Sequence, residues 1–151
     1  MKPSTLVLTA LLLAPAAVLA ADSQPTVRTD PVLEQATKTI AAKDWPQAQE
    51  LLKDAIARNP GNADYHNLYA YSVRKGANPD MSLVFKHYNE ALRLDPRHRG
   101  AHEYIGEAYL MVGNLPKAKE HLSSLDKLCF FPCQEFSDLK RAVSDYEAKP
   151  K

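Results

Sequence analysis

The sequence lacks an excess of charge of either sign, because 19 Lys and Arg residues stand against 18 Asp and Glu residues. Nucleic-acid binding takes much of its affinity from a basic face that contacts phosphates, and recognition of anionic membranes needs a polybasic cluster. Neither feature is present. We therefore expect no nucleic-acid partner and no membrane-surface role from composition alone.

Long apolar runs are absent after the N-terminal segment. Lys2 precedes an apolar stretch from Leu6 to Leu13, and small residues at Val18 and Ala20 suit a signal peptidase. This stretch is shorter than the roughly 20 apolar residues that span a bilayer. The pattern predicts a signal peptide over residues 1–20, cleaved after Ala20, and an exported, periplasmic protein without stable membrane insertion. Loss of Lys2 would leave 18 basic and 18 acidic residues.

The motifs of common catalytic sites are also missing: the sequence has no Gly-rich phosphate loop, no Gly-x-Ser-x-Gly elbow and no His-Glu-x-x-His helix. We therefore predict that the protein is not an enzyme and needs no cofactor. His98 and His102 are four residues apart, but no third ligand accompanies them, so we predict no metal site. His66, His87 and His121 are isolated in the sequence, and surface or packing roles are expected for them.

Helical periodicity fills the rest of the chain. Residues Tyr65, Leu68, Tyr69, Ser72 and Val73 follow the i, i+3, i+4 spacing of one helical face. Prolines and glycines interrupt this pattern at regular intervals, and no alternating strand pattern occurs. The expected organisation is a flexible lead-in over 21–30, a helical domain over 31–147 with helix pairs over 31–60, 63–96 and 98–128 and a last helix over 134–147, and a tail over 148–151.

The helix pairs repeat. Ala48, Val84 and Ala118 occupy matching positions at spacings of 36 and 34 residues, and Pro60 and Pro96 each close a pair 36 residues apart. With the Ile105-Gly106 and Gly113-Asn114-Leu115 segments of the third pair, this pattern resembles the tetratricopeptide repeat. The resemblance implies an all-α, right-handed array of three hairpins capped by the last helix. It also implies that Gly106 lies where the two helices of one hairpin approach closely.

The resemblance further implies a concave face, lined by the first helix of each hairpin, that binds another protein or a peptide. The predicted groove residues on these helices are Glu34, Thr37, Lys38, His66, Asn67, Tyr71, Arg74, Glu103, Tyr104, Glu107 and Met111. Some members of the family hold a partner's terminal carboxylate with lysine, arginine and asparagine. Only Asn67 matches that set here, because Leu33, Glu103 and Glu107 stand at the basic positions, so we do not predict such a clamp.

The chain contains only two cysteines, Cys129 and Cys133, and Pro132 between them favours a turn. In an exported protein they most simply form a disulfide that fixes the last helix. The alternative is a thiol-redox or copper-handling protein, since soft thiolates select Cu(I). In either case Phe130 and Phe131 are expected to anchor the turn in the core.

Overall fold

The computed structural model describes residues 30–131 and 133–150, and within these residues it contains only α-helices as regular structure. The predicted signal peptide, most of the lead-in and Pro132 lie outside the described residues. The helices are α1 (Pro31–Ala41), α2 (Trp45–Arg58), α3 (Ala63–Lys75), α4 (Met81–Leu94), α5 (Arg99–Met111), α6 (Leu115–Leu128) and α7 (Gln134–Glu147). The predicted all-α repeat class is confirmed.

Short polar side chains begin most of these helices. Asp30 accepts hydrogen bonds from the backbone N–H groups of α1, and Asn62 does the same for α3. Asp80 accepts from Leu83 N at 3.1 Å and is the N-cap of α4. Such caps satisfy N–H groups that have no partner within the helix. They fix where each helix begins and keep the repeat in register.

Successive helices pack as antiparallel hairpins, α1 with α2, α3 with α4 and α5 with α6, and the hairpins then stack on one another. Contacts between α1 and α3, α3 and α5, and α5 and α7 align the first helices along one side of the array. Each interface buries its own apolar cluster. The largest fully buried side chains include Tyr88, Leu52, Ile105, Leu125 and Leu139.

The last helix, α7, covers the third hairpin, and it corrects the role predicted for Gly106. A Cβ on Gly106 would lie 2.6 Å from Leu139 Cδ2, so the close approach is between α5 and α7 rather than within one hairpin. Leu139 itself is fully buried. Gly106 is therefore small because Leu139 of α7 packs directly against it.

The turn before α7 also differs from expectation. Phe130 and Phe131 are 94% and 76% exposed, so the prediction that they anchor the core is wrong. The two rings contact each other edge-on, with centroids 5.0 Å apart, and Cys129 and Cys133 form a disulfide at the ends of the turn.

Candidate binding groove

A row of aromatic side chains runs from the start of α2 across α3 to α5. The rings of Tyr71 on α3 and Tyr104 on α5 lie 4.7 Å apart, and Trp45 approaches Tyr71 edge-on with ring centroids 6.2 Å apart. All three side chains are partly exposed. Partly exposed aromatic side chains offer large contact areas with little conformational freedom to lose, which favours protein recognition. We call the surface around this row the groove.

Arg74 holds the aromatic row in place. Its guanidinium carbon lies 5.4 Å from the centroid of the Tyr71 ring and 5.8 Å from that of Tyr104. Nη2 donates to Glu107 Oε2 at 2.8 Å, and Nε donates to the Tyr88 hydroxyl at 3.3 Å. Arg74 is only 6% exposed, so it supports the groove from beneath rather than facing solvent as predicted.

The two ends of the groove are more open. Met111 is 53% exposed at one end, and its sulfur lies 3.9 Å from Arg74 Nη1. At the α1 end, Glu34 and Lys38 are exposed and pair with each other at 2.6 Å. They line a shallow depression of about 530 Å³ together with Asp30, Leu33 and Thr37. These predicted groove residues are thus accessible.

Glu103 differs from the other acidic residues of the groove because it is buried without a counter-charge. It is 8% exposed, and no described residue donates a hydrogen bond to its carboxyl group. Burial, reinforced by the carboxylates of Glu107, Asp138 and Glu135, raises the pKa of Glu103 to about 8. Strongly shifted pKa values cluster at functional sites.

Asn67 occupies the corresponding place on α3. It is 4% exposed, and its Oδ1 atom accepts no hydrogen bond from the described residues. Its Nδ2 atom lies 3.4 Å from the position that a Cβ on Gly100 would take, one turn before Glu103 on α5. Asn67 therefore packs against the start of α5.

The histidine predicted for the groove lies elsewhere. His66 is 5% exposed and is turned into the second hairpin, where its Nδ1 lies 2.9 Å from Nδ1 of His87 and its Nε2 lies 3.0 Å from the Pro60 carbonyl oxygen. The prediction that His66 faces the groove is wrong, because its position on α3 points toward α4. His87 is likewise not isolated.

The third hairpin repeats this arrangement. His102 Nδ1 lies 2.9 Å from His121 Nδ1, and His102 Nε2 lies 3.1 Å from the Pro96 carbonyl oxygen. A carbonyl only accepts, so each Nε2 donates to it, and within each pair one Nδ1 donates to the other. Burial and the neighbouring histidine lower the pKa of His87 and His121 to about 4. Both pairs follow the repeat spacing, a signal present in the sequence.

A comparison with known families agrees with this geometry. The tetratricopeptide-repeat family profile matches residues 33–80. The matched residues form most of α1 and all of α2 and α3 in the array of helical hairpins. The chain is a tetratricopeptide-repeat protein.

Known repeat proteins support this assignment. An inactive TPR repeat-containing thioredoxin of Arabidopsis thaliana is 31% identical over 98 residues, which are 64% of this chain and 13% of the relative. The chain thus spans about an eighth of that protein's length.

Solved structures share the fold at low sequence identity. The type III secretion translocator chaperone SycD of Yersinia enterocolitica has a TM-score of 0.66 at 14% identity, covering 78% of this chain and 80% of SycD. The TPR2B domain of yeast Sti1, in complex with pHsp70, has a TM-score of 0.65 at 20% identity, covering 77% and 98%. These likenesses establish the repeat fold.

The cysteine pair and the His98/His102 pair, the other candidate sites of this repeat protein, make contacts within the fold. Cys129 and Cys133 form a disulfide with their Cα atoms 5.8 Å apart, which leaves no thiolate to bind a metal in this state. His98 and His102 do not point toward a common site. His98 is the N-cap of α5 and its Nε2 lies 3.0 Å from Asp64 Oδ1, whereas His102 pairs with His121. Among the described helices, none is long and apolar enough to cross a membrane.

Proposed function

We propose that this chain is a non-catalytic adaptor that binds an extended segment of another protein along the groove. The observation that carries the proposal is the aromatic row of Trp45, Tyr71 and Tyr104, which is continuous across successive hairpins. Solenoids of this kind bind partners on extended concave surfaces.

The groove is organised before any partner arrives. Arg74 contacts the rings of Tyr71 and Tyr104 and is itself fixed by Glu107 and Tyr88. Each side chain that is already ordered spares about 0.5–1.5 kcal/mol of ordering cost on binding. A preformed row of aromatic side chains therefore favours peptide binding even on a small surface.

The structural neighbours add support. SycD has also been solved with a peptide of the translocator YopD, and PcrH with the chaperone-binding region of PopD. The described residues of this chain offer no paired nucleophile and base in the groove. An adaptor that holds a segment, rather than an enzyme that transforms it, fits these observations best.

The cellular location belongs to the same proposal. The N-terminal pattern of Lys2, an apolar stretch and Ala20 supports export to the periplasm. N-terminal sequencing of the protein recovered from a periplasmic extract would be expected to begin at Ala21. Recovery from the cytoplasm with residues 1–20 intact would refute export and leave the binding proposal standing.

Panning a displayed library of random 12-residue peptides against the purified protein tests the binding proposal. We expect selected peptides to lose at least tenfold in affinity for Tyr71→Ala/Tyr104→Ala, because this variant removes the centre of the row. Phe131→Ala is the matched control, since it removes an exposed aromatic side chain outside the groove. Unchanged affinity in the double variant, with native helical content, would refute the groove as the binding site.

A further inference from the structure

The acidic side of the groove contains one carboxyl group more than it has cations. Glu107 pairs with Arg74 at 2.8 Å, Asp138 with Arg141 at 2.6 Å, and Glu135 with Arg99 at 3.6 Å. Glu103 lies among these groups, and the cation whose charge acts on it, Arg74, is already engaged by Glu107 and Tyr88. The described part of the protein thus leaves the Glu103 carboxyl as the single unmatched member of the group.

An unmatched buried carboxyl group is costly to a folded protein, because it has lost water without gaining a partner. Glu103 is 8% exposed, whereas Glu34 at the other end of the groove is open and paired. Its oxygen atoms are not among the described buried polar atoms that are sealed from solvent without a partner. They remain reachable, so a group from outside can still approach them.

Asn67, on the adjacent first helix, is a second buried polar residue with an unpaired acceptor. The residue is only 4% exposed, and its Oδ1 atom is shielded from solvent and has no hydrogen-bond donor among the described residues. Native proteins leave few buried polar atoms unpaired. Asn67 lies against Gly100, one turn from Glu103, so two neighbouring acceptors on adjacent first helices both lack donors.

We propose that the groove recognises a basic residue of the bound segment, with a lysine or arginine side chain pairing with Glu103 while its apolar neighbours contact Tyr71 and Tyr104. This inference rests on the proposed function and specifies its partner. The incoming cation supplies the counter-charge that the three arginines of the site do not, and its N–H groups donate to the Glu103 carboxylate.

Proton release is a consequence of this pairing. The groups that face Glu103 are Arg74 from α3, Tyr104 and Glu107 from α5, and Glu135 and Asp138 from α7. With a pKa of about 8, the Glu103 carboxyl holds a proton at neutral pH in the free protein. A bound cation favours the ionised form, so binding at pH 7 should release about one proton.

The test compares peptides selected from the random library against the wild-type protein and two variants. Glu103→Gln removes the carboxylate with nearly the same shape, and Glu120→Gln is the matched control, since it removes one exposed acid on α6. We expect lysine and arginine enrichment with the wild-type protein and the control, and its loss with Glu103→Gln. The best basic peptide should bind Glu103→Gln at least tenfold more weakly.

The outcomes separate the two proposals. Groove-dependent peptides without basic enrichment, or equal affinity for the wild-type protein and Glu103→Gln, would overturn the basic-residue inference and leave the binding function standing. Selected peptides that bind Tyr71→Ala/Tyr104→Ala unchanged would overturn both. Calorimetry of the best peptide at pH 7 in buffers of different ionisation enthalpy should show proton release with the wild-type protein and none with Glu103→Gln. Equal release by both would also overturn the inference.

Discussion

The histidine pairs inside the second and third hairpins predict a loss of stability in mild acid. The first hairpin shows what the chain does without them: Val32 and Leu51, 34 and 36 residues before His66 and His87, are partly buried against the same apolar cluster. Substitution of His66→Val and His87→Leu copies that apolar pair into the second hairpin. The chain thereby supplies a tolerated, non-titrating replacement.

The magnitude follows from the lowered pKa values. Burial, and then the neighbouring histidine, holds the pKa of His87 at about 4, below its ordinary value of 6.5. Between these values the unfolded chain binds a proton that the folded chain does not, so stability is full above pH 6.5 and is lost as the pH falls toward 4. The difference between these two pKa values corresponds to roughly 3–4 kcal/mol at most. Partial exposure of the ring reduces the expected loss to about 1–2 kcal/mol.

Urea unfolding followed by helical circular dichroism at pH 7 and pH 4.5 would measure this effect. We expect the free energy of unfolding of the wild-type protein to fall, relative to His66→Val/His87→Leu, by about 1–2 kcal/mol between the two pH values. His102→Val/His121→Leu should show the same effect as the variant of the second hairpin. The effects of the two double variants should be additive when all four substitutions are combined. Glu103 titrates in every one of these proteins and therefore cancels in the difference. Identical pH dependence in wild type and variants would refute the reasoning.

Three further predictions concern single features. Gly106→Ala should cost about 1–3 kcal/mol of unfolding free energy, because its Cβ would overlap the Leu139 side chain, and much of the additional cost should disappear in a Leu139→Ala background measured by a double-mutant cycle. Serine substitution of both Cys129 and Cys133 should lower the free energy of unfolding by no more than about 2 kcal/mol, because the closed loop is short. A larger loss would show that the disulfide also positions α7. Glu103→Gln should raise the unfolding free energy at pH 8 and leave it unchanged near pH 4. The raised pKa of Glu103 destabilises the folded protein only when the pH rises above the pKa of an ordinary glutamic acid. Equal stability of the wild-type protein and the variant at pH 8 would contradict a buried, unmatched carboxyl group.

The repeat itself was predictable from sequence because its determinants are local. Each of these determinants acts within its own hairpin: Asp80 as an N-cap, and the prolines near the helix ends. The matched residues Ala48, Val84 and Ala118 are all fully buried, one in each hairpin. Local signals of this kind repeat in register. They specify helix type and hairpin pairing before any long-range contact forms.

The side-chain partners were less predictable because they depend on which neighbouring helix a residue meets. The helical pattern predicts a groove position for His66, but its ring contacts His87 on α4. Gly106 was assigned to its own hairpin, but it meets Leu139 on α7. Periodicity gives the face of a helix only to within about one residue position in a turn. It does not give the identity of the residue across the interface.

The position held by Glu103 suggests that the groove is graded along its length. Alignment through the small buried residues Ala36 and Ala70 and through Gly106 places Leu33, Asn67 and Glu103 at one equivalent site in successive hairpins. This site changes from apolar to neutral polar to acidic from α1 to α5. A segment lying along the groove would then meet an apolar contact at one end and a carboxyl group at the other. Such a gradient fixes the direction of the bound chain as well as its composition, and reversing Leu33 and Glu103 by Leu33→Glu/Glu103→Leu should reverse the order of apolar and basic residues among selected peptides.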